Sequence, residues 1–264
     1  MQVCRKILGS HPGEPHALHM LGLIAFGAGD AAAAINALRQ ACQAPVVPAA
    51  YHSNLAEMLR QQGQLGEAEG HARRAVELDP NLSGAWNNLG IILQESGALI
   101  QSRECLARVI ALDPNNSTAH NNIANTLKRM DDLEGAERHW RRALALNADY
   151  AEPWSNLANL LREQGQYDRA IECGTRAIQL NPRLIDAYIN LASIESARYR
   201  HEAALEWLDR LLGIAPQHPL GLAAKANALR EMDRLDEALA EVERAVALRP
   251  DNAEVQSTHA ALLL

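Results

Sequence analysis

The feature that most constrains this chain is a period. A proline closing an apolar-led triplet recurs at Pro80, Pro114, Pro182, Pro216 and Pro250, at intervals of 34 residues or, where Ala148 replaces proline, twice that. Stepping back from Pro80 reaches Val46, between Pro45 and Pro48, and then Pro12. No insertion breaks the register. A chain that repeats one local grammar cannot wrap a single central core; each unit must bury its apolar face against its neighbours, and the molecule grows as an array. The period predicts seven full units, 15–48, 49–82, 83–116, 117–150, 151–184, 185–218 and 219–252. These are flanked by a partial unit at 1–14, read as a second helix, and by the start of a further unit at 253–264.

Each unit reads as two helices. In 83–116, Trp86, Leu89, Gly90 and Leu93 share one face of the first helix. Gly97 supplies the reversal, and Ser102, Leu106, Val109 and Ile110 face inward from the second helix. Asp113-Pro114 ends it, because proline lacks the amide hydrogen a helix needs. The eighth position is always small (Gly22, Ala56, Gly90, Ala124, Ala158, Ala192, Ala226), and so is the twentieth (Ala34, Ala68, Ser102, Ala136, Ala170, Ala204, Ala238). Two such rows let paired helices approach toward the short end of the roughly 8–10 Å packing range. An Ala- and Leu-rich composition with a single Phe agrees with close-packed helices rather than strands.

The pattern W-x-x-L-G-x-x-[YL] … A-x-x-x-[FL] … P at this period resembles the tetratricopeptide repeat (TPR) family across essentially the whole chain. The resemblance implies an all-α TPR solenoid, a right-handed superhelix of stacked antiparallel helix pairs whose first helices line a concave groove. Some units depart from the pattern. Glu195 stands at a core-leucine position, Tyr199 at a turn glycine and Lys225 at another leucine position, which predicts looser packing or a local bend near 195–201 and 225.

Asparagine is a poor helix former, because its amide competes for the backbone. Yet it occupies the sixth position of five consecutive units: Asn54, Asn88, Asn122, Asn156 and Asn190. Asn125, Asn159 and Asn227 hold the ninth position, and Asn87 and Asn121 the fifth. Positions 7, 8 and 11 own the packed face, so positions 2, 5, 6, 9, 12 and 13 are expected on the groove side. An amide with two donors and an acceptor can grip the N–H and C=O of an extended peptide. Rungs about 10 Å apart would meet roughly every third residue of a guest rising about 3.3 Å per residue. The competing reading is that each asparagine merely bonds an adjacent helix or water.

The strings YHSNLAEMLRQQGQLGEAE, WNNLG, HNNIANTLK, WSNLANLLREQGQYDRAIE and DAYINLASI resemble the TPR arm of O-GlcNAc transferase and its bacterial glycosyltransferase-like relatives. That likeness implies that Asn54, Asn88, Asn122, Asn125, Asn156, Asn159 and Asn190 hold protein substrates or adaptors; it does not extend to catalysis. A second TPR mode grips a C-terminal carboxylate through Lys or Arg at positions 2 and 5. Here those positions hold residues such as His16, His19, Ser53, Asn87, Glu152 and Asp186, and none is Lys or Arg. Arg60, Lys128, Arg129, Arg162 and Arg230, farther along the first helices, read either as a rim for acidic side chains or as a solvated face paired with Glu57, Glu163 and Glu231.

Other chemistry is set aside. His71, Cys105, His139 and Cys173 all fall at position 23, but stacked equivalents lie about 10 Å apart, while zinc needs ligands within roughly 2.0–2.3 Å. No metal and no cofactor is expected. His52 and His120 read as packing substitutes for Trp86 and Trp154, and no H-E-x-x-H surrounds His16 and His19. Trp140 and Trp207 fit core slots. Glycosylation triplets at Asn81, Asn115 and Asn116 fall in the turns, without a signal peptide to support them. There is no phosphate-cradling glycine loop and no G-x-S-x-G, so the chain is not expected to be an enzyme.

A net charge of −7 offers no basic surface for nucleic acid or an anionic membrane, and no apolar run is long enough to span a bilayer. Four scattered cysteines without C-x-x-C spacing point to reduced thiols in the cytoplasm. The apolar Ala260–Leu264 end predicts that the natural protein continues into more repeats or a catalytic domain. In 1–14, Cys4, Ile7 and Leu8 are expected to turn inward. The leading reading is a protein- or peptide-binding scaffold, the recruiting arm of a larger glycosyltransferase-like enzyme. The alternative is an assembly scaffold that self-associates through its ends or convex face.

Overall fold

The computed structural model describes residues 2–263, and these contain helices and turns only. After α1 (Gln2–Ser10), the helices alternate between the two members of each hairpin. The first members are α2 (Pro15–Gly27), α4 (Ala49–Gln61), α6 (Ser83–Glu95), α8 (Ser117–Arg129), α10 (Ala151–Glu163), α12 (Ile185–Ala197), α14 (Pro219–Glu231) and α16 (Ala253–Leu262). The second members are α3 (Ala31–Ala41), α5 (Leu65–Leu78), α7 (Leu99–Leu112), α9 (Leu133–Leu146), α11 (Tyr167–Leu180), α13 (His201–Ile214) and α15 (Leu235–Leu248). The chain forms two compact units, one ending at His139 and the other beginning at Trp140.

Local chemistry explains the punctuation. The turn residue between the two helices of a hairpin is left-handed in every repeat: Gly29, Gly63, Gly97 and Gly165, but also Asp131, Tyr199 and Asp233. Between hairpins, Asp or Asn makes a side-chain turn. Asp79 Oδ1 accepts from Asn81 N at 2.9 Å, and Asp113, Asn147 and Asn181 do the same two residues on. That is why an acid or amide precedes Pro80, Pro114 and Pro182. The Asn116 side chain then caps α8 by accepting from Ala119 N at 2.9 Å.

Small residues seat the hairpins. In the first unit Leu55, Leu59, Ala68, Ala72, Leu89, Leu93 and their neighbours form one continuous buried cluster. At Gly90 an added Cβ would lie 2.7 Å from Leu106 Cγ, so the helices there are closer than any side chain allows. In the second unit Leu161, Ala177, Leu191, Ile194 and Leu211 form one cluster, and Leu208, Leu229 and Val242 belong to another.

The irregular positions keep the backbone. α12 and α13 have 13 and 14 residues, as α6 and α7 do, and Arg200 N donates to Glu195 O just as Ala98 N donates to Leu93 O. The anomaly is energetic: Glu195 is buried, with Oε2 lacking a hydrogen-bond partner and Arg200 Nη1 at 4.0 Å. Lys225 is held by Asp209 at 2.7 Å and Glu241 at 3.3 Å. Burial would lower its pKa, but these two carboxylates raise it. In α1, Cys4 and Leu8 are half-buried, whereas Ile7 is exposed rather than turned inward.

Candidate functional site

The sixth-position asparagines form a row of half-buried amides on the first helices, and each characterised rung reaches back to the fifth position of the preceding repeat. Asn88 Nδ2 donates to Ser53 O at 3.2 Å and to Ser53 Oγ at 3.1 Å. Asn122 Nδ2 donates to Asn87 Oδ1 at 2.9 Å, and Asn54 Nδ2 lies 3.0 Å from His19 Nε2. In the second unit Asn190 Nδ2 repeats the pattern on Ser155, at 3.3 Å to O and 3.2 Å to Oγ. Each of these four amides thus directs its nitrogen at a neighbouring helix, and each residue is half-buried. Asn156, at the same position of its own repeat, is also half-buried.

The fifth position does not lie on the open side. His19, Ser53 and Ser155 are buried against the next first helix, where Asn87 is half-buried as an acceptor, and Asn121 is buried. The helical wheel placed this position on the groove side, but within each compact unit the first helix of the next repeat covers it. At the ninth position Asn125 is half-buried. Asn159 accepts from Arg162 Nη2 at 3.0 Å and donates to Glu163 at 3.2 Å, and Asn227 donates to Thr258 Oγ1 at 3.1 Å.

The basic residues beside the row are largely paired. Arg60 bridges Glu57 on its own helix and Glu95 on the next, and Arg162 and Arg230 neighbour Glu163 and Glu231. Burial would raise the Glu57 carboxyl, but hydrogen bonds from Arg60 and Gln61 hold it below its ordinary range. This favours the solvated, internally neutralised face over a rim waiting for acidic side chains.

A second pattern escaped the sequence reading, which followed position 23 along the array instead of across the hairpin. Position 4 of each first helix faces position 23 of the second. His52 and His71 meet with their Nδ1 atoms 2.9 Å apart, and so do His120 and His139. Tyr188 packs on Trp207, with Arg210 over both rings. Trp86 with Cys105, and Trp154 with Cys173, line clefts of about 700 and 460 Å³. Position 4 also binds the turn before its helix: Trp86 and Trp154 Nε1 donate to Pro80 O and Ala148 O at 2.9 Å, and His120 Nε2 lies 3.4 Å from Pro114 O. His120 therefore does substitute for tryptophan. The row His71, Cys105, His139 and Cys173 does not converge; among the described residues the His/Cys group that does is Cys42, His52 and His71. Burial pushes the Cys42 and Cys105 thiols up to about 11, so both are protonated near neutrality.

Stacked hairpins with a polar row on their first helices define a helical-repeat scaffold. The chain belongs to the tetratricopeptide repeat family: models described as "Tetratricopeptide repeat" match residues 19–83, 83–116, 115–183, 149–217 and 196–262. No curated protein sequence matches it. Among solved structures it is similar to a chain of the Cut9–Hcn1 hetero-tetramer of the APC/C, at 13% identity and TM-score 0.79, covering 100% of this chain but 52% of that one. A tetratricopeptide repeat protein from Parabacteroides merdae matches at 16% identity and TM-score 0.77, over 95% of this chain and 99% of that one. YrrB, titled a TPR protein with an unusual peptide-binding site, matches at 23% and TM-score 0.50, over 67% and 91%. At these identities the likeness is one of fold. No helix among the described residues is long and apolar enough to cross a membrane.

Proposed function

We propose that this chain is a protein-binding scaffold whose first helices hold an extended segment of a partner through Asn54, Asn88, Asn122, Asn156 and Asn190. The observation that carries the reading is the fixed orientation of the row. An amide whose nitrogen is tied to the helix behind it presents its Oδ1 without further loss of side-chain freedom, and a guest backbone N–H can donate to it. Recognition of this kind reads main chain and tolerates varied side chains. The ninth-position amides Asn125, Asn159 and Asn227 lie on the same helices, Asn87 supports Asn122 from behind, and Asn121 belongs to the same proposed set. The likeness to the arm of O-GlcNAc transferase, and with it a role in recruiting substrates or adaptors for a cytoplasmic glycosyltransferase-like enzyme, belongs to this proposal; the unusual peptide-binding site described for YrrB is in keeping with it.

The same hydrogen bonds favour a second reading, an assembly scaffold in which the asparagines only clamp successive repeats. Two variants separate the readings. Asn88→Ala removes both the clamp and the rung, whereas Ser53→Ala removes the hydroxyl acceptor and leaves the rung. Against a panel of unstructured peptides followed by fluorescence anisotropy, the binding reading expects Asn88→Ala to weaken capture by roughly tenfold, about 1.4 kcal/mol, and Ser53→Ala to leave it nearly intact. Equal behaviour of the two variants would sustain the clamp reading.

A further inference from the structure

Position 4 lies some 200° around the first helix from position 6, so His52 points away from the asparagine row. It meets His71 of α5 and Cys42 at the end of α3. That meeting has a local cause. α3 has 11 residues where the other second helices have 14, and Cys42 is its C-cap, accordingly drawn in toward the next hairpin. Later repeats carry an aliphatic residue at the register of Cys42: Val76, Ile110, Leu144, Ile178, Leu212 and Val246.

We propose that Cys42 Sγ, His52 Nδ1 and His71 Nδ1 form a zinc site that cross-links repeat 15–48 to repeat 49–82. The two Nδ1 atoms are 2.9 Å apart, and a ring nitrogen of each histidine and Cys42 Sγ lie within 4.8 Å of one another. A tetrahedral zinc sets N and S ligands about 3.3–3.6 Å apart, so adjustments of about 1 Å in side-chain position complete the set. Three protein ligands leave the fourth position to water, on the half-exposed side of Cys42. The outer contacts are also in place. Glu67 Oε1 lies 3.9 Å from His71 Nε2, and Arg39 fixes Glu67 through bonds of 2.8 and 2.6 Å. A carboxylate behind a ligating imidazole orients the ring and strengthens its donor nitrogen.

Burial, reinforced by the charges of His71 and Arg74, lowers the His52 pKa, and burial with Arg39 lowers that of His71 against the pull of Glu67, whereas burial pushes the Cys42 thiol up to about 11, so zinc must displace its proton. On binding, the proton between the two Nδ1 atoms moves to an Nε2, the Cys42 thiol loses its proton to solvent, and one proton is released per zinc. The molecule also carries its own control. His120 and His139 make the same 2.9 Å contact, but α7 runs on through Ile110, the residue at the register of Cys42, and brings no thiol to the pair. Two histidines alone share a proton; the third donor is what makes a metal site.

The test is titration of the untagged, chelator-stripped full chain with Co²⁺, following the thiolate-to-cobalt charge-transfer band, and then displacement by Zn²⁺. One equivalent with a tetrahedral spectrum is expected. Cys42→Ser should abolish the band and weaken zinc binding by about 100-fold or more, while Glu67→Gln should cost roughly 10–100-fold. Circular dichroism confirms that each variant is folded. A wild-type chain that binds no cobalt at micromolar concentration, or a band that survives Cys42→Ser, would overturn the assignment.

Discussion

Repeat 83–116 and repeat 185–218 have helices of equal length and the same turn hydrogen bonds, but they reach that geometry at different cost. The first places Leu93 in the core and Gly97, at φ 87°, in the turn. The second places Glu195 and Tyr199, at φ 59°, in those slots. A bend would be expected if each hairpin set its own shape. Instead the neighbouring hairpins impose the geometry, and the misfit side chains carry the penalty as buried polarity and backbone strain.

Moving the faults between these repeats tests that account. The largest effect is expected from Leu93→Glu, which puts a carboxylate into a site 1% exposed; it should destabilise by about 3 kcal/mol or more in urea unfolding, since a buried charge without a close partner is among the costliest single changes. The reverse change, Glu195→Leu, should stabilise by about 1–3 kcal/mol, the usual penalty of an unsatisfied buried polar group. A loss in Glu195→Leu would instead show that the pairing with Arg200 matters. The third test exchanges the histidine pair of 49–82 for the tryptophan–cysteine pair of 83–116. His19, His52, His71 and His139 all have pKa values lowered by burial, so below about pH 6.5 the unfolded chain binds more protons than the folded one. Stability is therefore full above that pH and falls as acid drives these rings toward protonation. With chelator present, the double variant His52→Trp, His71→Cys should show a shallower acid-side decline in melting temperature than the parent. The smallest effect is expected from Tyr199→Gly. Relief of a left-handed tyrosine, offset by the entropy of glycine, should give a net gain of about 0.5–1 kcal/mol, visible as slower amide exchange at the α12–α13 turn.

Much of this was legible in the residues. The Asp-Pro turns, the small eighth and twentieth positions and the turn glycines fix a helical hairpin locally, and their strict recurrence leaves stacking as the way to bury it. The asparagine row was legible as a row. Its bond to Ser53, Asn87 or Ser155 was not, because the wheel of one helix shows which side chains share a face but not what the next helix lays over its edge. Reading position 23 along the array likewise separated His71 from the two residues it meets, since a row catches equivalents about 10 Å apart and misses contacts across a hairpin.

The sequence by itself determined the repeat, the hairpin and the ordering of polar and apolar faces, because these depend on spacing along the chain and on turn chemistry within a few residues. Only the tertiary structure decided that the asparagines anchor to the preceding helix, that Glu195 is buried without a bend, and that Cys42 joins His52 and His71. Those outcomes depend on how far one hairpin rotates against the next and on where α3 stops. Packing among many side chains sets both quantities, and no single motif records them.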